Sequence, residues 1–315
     1  MTCVLIMSSP DDLHALSVAR SIRSRYPGVQ SLIVSGDDFP TNLSLSIEPS
    51  GWCLIGEKAA LRSTDVLSVW WRRPGAPRIE EGIADANSRD FARRESMHAF
   101  DSIALSNDYP VINRPDAEYR ANKKPVQLWE AQKVGLRVPE YCITNKYDSA
   151  IEFINHYNDV IFKSLTSPRN TFGETRQMKS EYLELLHDID LAPAIFQRRI
   201  KRKRDYRVTV IGQTTFVHEI FINNESVRVL DDWRLDVSAE ARKASLSEKI
   251  LQAIASLMAR LSLSYGAVDL IEDENGEVFF LEVNSSGQFL FAEMDTADPM
   301  SLAFADLLCK PAKRQ

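Results

Sequence analysis

The chain has 315 residues, is 44% hydrophobic and 26% charged, and carries a formal net charge of −6 at pH 7. These values describe an ordinary globular protein with room for two or three domains, and they exclude a disordered chain. The longest apolar runs are shorter than the ~20 residues of a membrane helix, and the acidic balance argues against a general nucleic-acid binder, so neither partner is expected.

Strand and helix patterns alternate over the first third of the chain. The apolar run 3–7 predicts a buried strand, and 13–26 has helical periodicity after the capping candidate Asp11. A second long helix is predicted over 89–105. The start has no basic segment, so no secretory signal is expected. This alternation predicts a small α/β domain with a largely parallel sheet.

The polar, proline-containing segment 111–125 is the predicted domain boundary. A helix follows over 125–135, and further strands and helices alternate after it. The strongest amphipathic pattern covers 245–264. The four cysteines are far apart and form no CxxC pair, which predicts reduced thiols in a cytoplasmic protein and no structural zinc.

Two acidic residues are predicted to face each other near the carboxyl end. Asn275-Gly276 is typical of a two-residue hairpin turn of type I′, because both central residues of that turn need a positive φ. Stepping outward from this turn places Asp269 directly opposite Glu282, with the two side chains on one face.

Such a pair in apolar strands predicts either a protonated acid or a bound cation, since two buried carboxylates repel each other. Asn284 shares the face of Glu282 and offers a further oxygen. Carboxylate and amide oxygens suit Mg²⁺. The alternative is that one acidic residue faces solvent.

Several cations are predicted within apolar strands or beside aromatic residues. Lys163 lies inside the run DVIFKSL, Gln197 precedes two arginines, Arg207 lies inside YRVTVIG, and Arg234 follows a tryptophan. Each could be a surface residue with a buried stem. Together with a metal site they indicate a bound polyphosphate, held by side chains because no P-loop motif occurs.

The order of these motifs resembles the ATP-grasp superfamily over residues 111–310. The segments VWWRRP, NRPDAEYRANKKP, DDWR and EVNSSGQF are similar to those of ribosomal-peptide maturases of the microviridin and graspetide type. The resemblance implies an α/β and α+β ATP-grasp fold. Its parts would be a pre-ATP-grasp domain (1–115), a central subdomain with the Lys163 strand and a lid (116–195), and a carboxyl-terminal subdomain with the metal site (196–315).

The resemblance also implies roles for matching residues. Asp269, Glu282 and Asn284 would hold one or two Mg²⁺ ions, with Glu282 bridging. The catalytic set would comprise Arg207, Arg234 and Lys163. The nucleotide would be bound by Lys124, Lys163 and Arg234 at the phosphates, by Gln197, Arg199 and Ile200 at the adenine, and by Asp205 at the ribose.

The implied function is an ATP-dependent ligase that activates Asp or Glu side chains of a ribosomal precursor peptide and closes macrocycles. The bond could be an ester to Ser or Thr, or an amide to Lys. The precursor would have a leader and an acidic core, and the enzyme would be a cytoplasmic homodimer. The alternatives are another ATP-grasp carboxylate–amine ligase, which adds glutamate or an amino acid, and a non-catalytic peptide-binding relative.

Three features have more than one interpretation. The lid segment 164–177 has only one glycine, so its phosphate contacts are open. The basic run 198–207 is either a solvated connection or an attraction for an acidic precursor. The segment that begins at Ser285 either turns the chain or faces the peptide.

Overall fold

The computed structural model describes residues 2–57, 60–80, 82–106, 108–166, 175–222 and 238–310. Within these ranges the strands form one parallel sheet and three antiparallel sheets. The α/β and α+β class predicted from the sequence is confirmed.

The first domain contains the parallel sheet, in the order β2-β1-β6-β7, and a small sheet, β3-β4-β5. Its strands are β1 Thr2–Ser8, β2 Val29–Val34, β3 Leu43–Glu48, β4 Gly51–Gly56, β5 Ala60–Arg62, β6 Val66–Arg73 and β7 Val111–Ile112. Its helices are α1 Leu13–Arg25 and α2 Ala86–Leu105, with 3-10 turns at Gly36–Asp38 and Ser63–Asp65.

Strand β1 is apolar along its length because helices cover both faces of its sheet. Val4 and Ile6 pack in the core that contains α1, whereas Leu5 and Met7 pack in the core that contains α2. The predicted cap of α1 is wrong by one residue. The carboxylate of Asp12, not that of Asp11, accepts the capping hydrogen bond from the amide of His14.

Two helices, α3 Pro115–Ala121 and α4 Lys124–Lys133, lead into an antiparallel sheet of order β10-β9-β11-β8, which is called the second sheet below. Its strands are β8 Tyr141–Thr144, β9 Val160–Lys163, β10 Arg176–Gln177 and β11 Ala194–Arg198. The helices α5 Tyr147–Tyr157 and α6 Ser180–Leu183 and a 3-10 segment, Glu184–Leu191, complete this unit. Phe162 and Phe196 pack on one face with α5, so the adjacent residues Lys163 and Gln197 lie on the opposite face.

The third unit is a five-stranded antiparallel sheet of order β14-β13-β12-β15-β16, which is called the third sheet below. Its strands are β12 Arg202–Ile211, β13 Thr214–Phe221, β14 Glu240–Lys243, β15 Tyr265–Asp273 and β16 Val278–Asn284. Helix α7, Glu248–Arg260, and α4 cover one face, where Val208, Leu270 and Val283 are buried. The opposite face carries polar side chains and also apolar ones, Ile211, Ile220 and Tyr265, which pack against Phe289 and Phe304.

The chain ends with α8 Leu290–Thr296 and α9 Met300–Cys309. Helix α9 returns to the first domain, where Phe304 packs against Trp70 of β6. Helix α4 also packs on a distant unit, because it contacts the third sheet although the strands of the second sheet follow it directly in the sequence. The boundaries near 115 and 195 therefore stay a prediction, because helices cross them in space. No helix within the described ranges is long and apolar enough to span a membrane.

The hairpin between β15 and β16 differs from the predicted type I′ turn. Asp273 pairs with Glu277 across a three-residue loop, and Gly276 has a φ of +80°. A bulge then inserts Leu281 between the pairs Leu270–Phe280 and Asp269–Glu282. The longer loop and the extra residue cancel, so the predicted pairing of Asp269 with Glu282 is confirmed.

Candidate active site

A row of ionisable side chains crosses the face of the third sheet that lies opposite α7. Successive register partners are Lys243 on β14, His218 on β13, Arg207 on β12, Asp269 on β15 and Glu282 on β16. Partners that lie directly opposite each other share a face, so all five side chains project from the same side. The row ends in two carboxylates at the β16 edge.

Arg207 and Asp269 form a buried ion pair at the centre of the row. Arg207 is 5% exposed and Asp269 6%, and Nη1 of the arginine lies 2.9 Å from Oδ1 of the aspartate. The pair sits on adjacent strands with apolar residues behind it. Neutralisation within the sheet explains how these two charges can be buried.

Glu282 is neutralised from outside its sheet. The ammonium of Lys124, at the start of α4, lies 2.7 Å from its Oε2. Asn284 links the two acids, because its Nδ2 lies 3.2 Å from Oδ2 of Asp269 and 3.4 Å from Oε1 of Glu282. The three predicted metal ligands are therefore gathered in one place, together with a lysine predicted for the phosphates.

These donors fit Mg²⁺. Two carboxylates and one amide supply hard oxygens, and rotation of the Asn284 amide by half a turn presents its oxygen to the same point. No cluster of three His, Cys, Asp or Glu residues occurs in the described ranges, so the amide is a necessary member of the set. A divalent ion here would neutralise the negative charge of Glu282, which Lys124 neutralises in this structure.

The predicted adenine residues lie where the second sheet meets the third. Gln197 is 1% exposed, and its Oε1 and Nε2 have no hydrogen-bond partner among the described residues. Ile200 packs with Ile271 and Phe279 of the third sheet. The amide of Arg199 donates to the carbonyl of Asp159, which fixes the backbone at this junction. Gln197, an orphaned buried amide, fits a polar ligand at this junction.

The structure describes the residue predicted for the ribose but not the arginine predicted for the phosphates. Asp205 is 3% exposed, and its Oδ2 lies 3.2 Å from Nε of Arg202. Arg234 and the central part of the lid lie outside the described residues.

Most of the basic run is already paired with acids. Arg202 contacts Asp205, Lys203 lies 3.3 Å from Glu272, and Arg204 lies 3.7 Å from Glu219. The pairing argues against an attraction for an acidic peptide. The run is not a solvated connection either, because Arg202–Arg207 belong to β12 and Arg207 is buried.

Polar residues that the sequence analysis missed hold the chain on either side of the site. Gln127 of α4 brackets Val283, accepting from its amide and donating to its carbonyl, both at 2.9 Å. Asn113 accepts from the amide of Tyr265 and donates to the carbonyl of Ser285, which joins the inner ends of β15 and β16. The turn Asn284–Gly287 is thereby fixed, and Gly287 donates its amide to the carbonyl of Asn284.

Glu118 is a buried carboxylate beside this turn. Its Oε1 accepts a hydrogen bond of 2.8 Å from the hydroxyl of Ser286, and the residue is 9% exposed. Burial raises the pKa of Glu118 to about 7, although hydrogen bonds from Ser286 and Ser285 and the charge of Arg72 oppose the rise. Glu118 is consequently a mixture of acid and carboxylate near neutral pH.

Replacing Glu118 with Gln should flatten the pH dependence of stability. A raised folded-state pKa stabilises the native state below the ordinary value near 4.5, and this contribution disappears as pH rises through about 7. The free energy of unfolding of the unmodified chain should therefore fall between about pH 5 and pH 8, by up to about 3 kcal/mol more than that of Glu118→Gln. Urea unfolding at both pH values measures this, with exposed Glu95→Gln as the control; identical slopes for all three proteins would contradict it.

A scan against protein-family models finds no match. Among curated proteins, the chain is similar to the tetrahydromethanopterin:alpha-L-glutamate ligase of Methanocaldococcus jannaschii, with 28% identity over 223 residues, which are 65% of this chain and 74% of that protein.

Solved structures match over the whole length. A RiPP-associated ATP-grasp ligase of Chryseobacterium gregarium, in complex with ADP and a leader and core peptide, is 26% identical with a TM-score of 0.88, covering 100% of this chain and 98% of that chain. The macrocyclase MdnB of Microcystis aeruginosa is 27% identical with a TM-score of 0.82, covering 98% and 99%.

Proposed function

We propose that this chain is an ATP-grasp ligase that matures a ribosomal peptide, that it phosphorylates Asp or Glu side chains of a precursor peptide, and that it closes macrocycles of the microviridin type. The observation that carries the proposal is the convergence of Asp269, Glu282 and Asn284 on one sheet face, beside Lys124 and Arg207. It occurs in a fold shared from end to end with peptide ligases.

The proposed chemistry needs activation because a carboxylate does not react with an alcohol or amine at neutral pH. A carboxylate oxygen of the peptide attacks the γ-phosphorus of ATP, the bond to the β-phosphate oxygen breaks, and ADP leaves. The Ser or Thr hydroxyl or Lys amine then attacks the carbonyl carbon and loses a proton. The carbon–oxygen bond to the phosphate breaks, and an ester or amide remains.

In this proposal the protein supplies charge neutralisation and alignment. Asp269, Glu282 and Asn284 would hold one or two Mg²⁺ ions, which would supply neutralisation of phosphate oxygens. Lys124 neutralises Glu282 in this structure, and we assign its ammonium to the phosphates. Arg207 pairs with Asp269 and holds its side chain in place.

The nucleotide roles follow from position. Lys163 lies two residues beyond Ile161, which pairs with Gln197, so a ligand between the second and third sheets can meet both side chains. We assign Lys163 and Arg234 to the phosphates. We assign Gln197, Arg199 and Ile200 to the adenine, and Asp205 to the ribose.

The proposed partner is a peptide with a leader and an acidic core, and the proposed assembly is a homodimer. We place the reaction in the cytoplasm, which supplies ATP and Mg²⁺. The thiols support this, since all four cysteines, Cys3, Cys53, Cys142 and Cys309, are unpaired.

Mass spectrometry tests the proposed reaction. The enzyme, ATP and Mg²⁺ are incubated with each short acidic peptide that the reading frames flanking its gene encode. We expect the mass of the peptide to fall by one water for each bond formed. After protease cleavage inside a ring, the two fragments should remain joined by the new bond. A gain in mass would instead support the second candidate, a glutamate-adding ligase, which the similarity to the methanopterin ligase favours. Peptide binding without ADP release would indicate a non-catalytic relative.

A further inference from the structure

The switch-point crevice of the parallel sheet lies next to the candidate active site, and the turn Ser285–Gly287 packs against it. In this sheet, of order β2-β1-β6-β7, the chain passes from β1 outward to β2 on one side and from β6 outward to β7 on the other. Strand order therefore changes direction between β1 and β6. Ligands of open α/β sheets bind outside the carboxyl ends of the strands at such a switch point. Here those ends carry Ser8 and, on β6, Arg72 and Arg73.

Arg72 is a buried cation that spans the crevice. Its side chain is 0% exposed, its Nε lies 3.2 Å from Oδ2 of Asp12, and its Nη1 donates to the carbonyls of Ser286 and Gly287. Its Nη2 is buried without a hydrogen-bond partner among the described residues. One donor of this fixed guanidinium is thus left for a ligand.

Arg73 extends from the same strand end and is exposed. Its Nη2 donates to the carbonyl of Ser286 at 3.1 Å. Consecutive Cα atoms lie 3.8 Å apart, so the Cα of Ser286 is at most ~8 Å from that of the metal-site residue Asn284. The guanidinium of Arg73 therefore sits at the rim of the crevice and next to the proposed site of phosphoryl transfer.

The crevice carries excess positive charge. Asp12 balances Arg72: although burial opposes ionisation, the hydrogen bond from His14 and the charge of Arg72 lower the pKa of Asp12. Glu118, the remaining nearby acid, is partly protonated near neutral pH. Desolvation and repulsion by Arg72 lower the pKa of Arg73, which indicates a cation without full compensation.

We infer that Arg73, with the buried, unpartnered Nη2 of Arg72 beside it, binds the side-chain carboxylate of the peptide residue that is to be joined. A guanidinium donates two parallel hydrogen bonds to a carboxylate, so the geometry selects Asp and Glu over Asn and Gln. The inference rests on the proposed function. It adds the residue that recognises the reacting group, supplied by the first domain rather than by either ATP-grasp subdomain.

A double-mutant cycle tests this assignment. The probes are a synthetic peptide with Asp and Glu between Thr, Ser and Lys residues and the same peptide with its Asp and Glu changed to Asn and Gln. Dissociation constants for both are measured with ADP and Mg²⁺ present. The proteins are the unmodified chain, Arg73→Gln, and Arg62→Gln as a matched control on the exposed β5 strand. Ring closure by the unmodified chain is followed separately, as the test of the proposed function.

The unmodified chain and Arg62→Gln should prefer the acidic peptide by ~10- to 100-fold, as expected for charge-assisted hydrogen bonds. Arg73→Gln should bind both peptides equally, with its melting temperature and ADP affinity unchanged. A preference retained by Arg73→Gln, or absent from the unmodified chain, would overturn the assignment even where rings form. An equal loss of ADP affinity would instead place Arg73 at the nucleotide and also overturn it.

Discussion

Replacing Glu282 with Gln is expected to lower the rate of ring closure by at least ~10³-fold, a loss of about 4 kcal/mol of transition-state stabilisation. The substitution removes one of the two carboxylates that would hold Mg²⁺ and leaves the shape of the residue unchanged. The side chain of Glu282 is 16% exposed and that of Lys124 is 25% exposed, so water can reach the ammonium that loses its partner and the fold should remain intact. Product yield by mass spectrometry and thermal unfolding measure the two effects.

Glu277 offers a matched control within the same hairpin. It is an acid of the same type, it is ion-paired with Arg137, and its side chain is 40% exposed. Glu277→Gln should therefore leave ring closure nearly unchanged. Unimpaired product formation by Glu282→Gln, or equal losses in both variants, would reject the metal assignment.

Replacing Arg207 with Met should reduce both stability and activity. The substitution leaves Asp269 as an uncompensated charge at a position that is 6% exposed. Breaking a buried pair in this way typically costs ~3–5 kcal/mol, and the displaced carboxylate should reduce ring closure by ~10²-fold or more. Urea unfolding and product yield measure the two losses. Arg204→Met, on the same strand but 45% exposed, should cost less than about 1 kcal/mol.

A double variant separates the structural effect of Arg207 from its effect on the site. Adding Asp269→Asn to Arg207→Met removes the unpaired charge, so most of the lost stability should return. Activity should not return, because a ligand oxygen with negative charge has been lost. Recovery of ring closure in the double variant would show that neither residue serves the reaction.

The active-site pairing was predictable because it depends on strand register, which is a local property. The predicted loop was one residue too short, but the bulge at Leu281 restored the pairing of Asp269 with Glu282. The ATP-grasp fold and the likeness to peptide maturases were also predictable from motif order, and both are confirmed. The role of each predicted site residue stays a proposal.

Contacts between distant segments could not be predicted in this way. Lys124 contacts Glu282, which lies 158 positions later in the sequence, and Arg72 contacts Ser286, which lies 214 positions later. Sequence periodicity does not extend over such separations. The motif VWWRRP was recognised, but its arginines received no role because only the sheet topology places the end of β6 beside the turn after β16. Glu118 likewise gave no local signal, since its burial depends on the first and third units together.

An oxygen-18 transfer experiment tests the central claim, that ATP activates a peptide carboxylate, most directly. The Asp and Glu side chains of the precursor are labelled, and the enzyme converts it with unlabelled ATP in unlabelled water. The account predicts that each bond formed releases one phosphate carrying one labelled oxygen, because the carboxylate oxygen leaves with the phosphate. Ring closure that releases only unlabelled phosphate would contradict it.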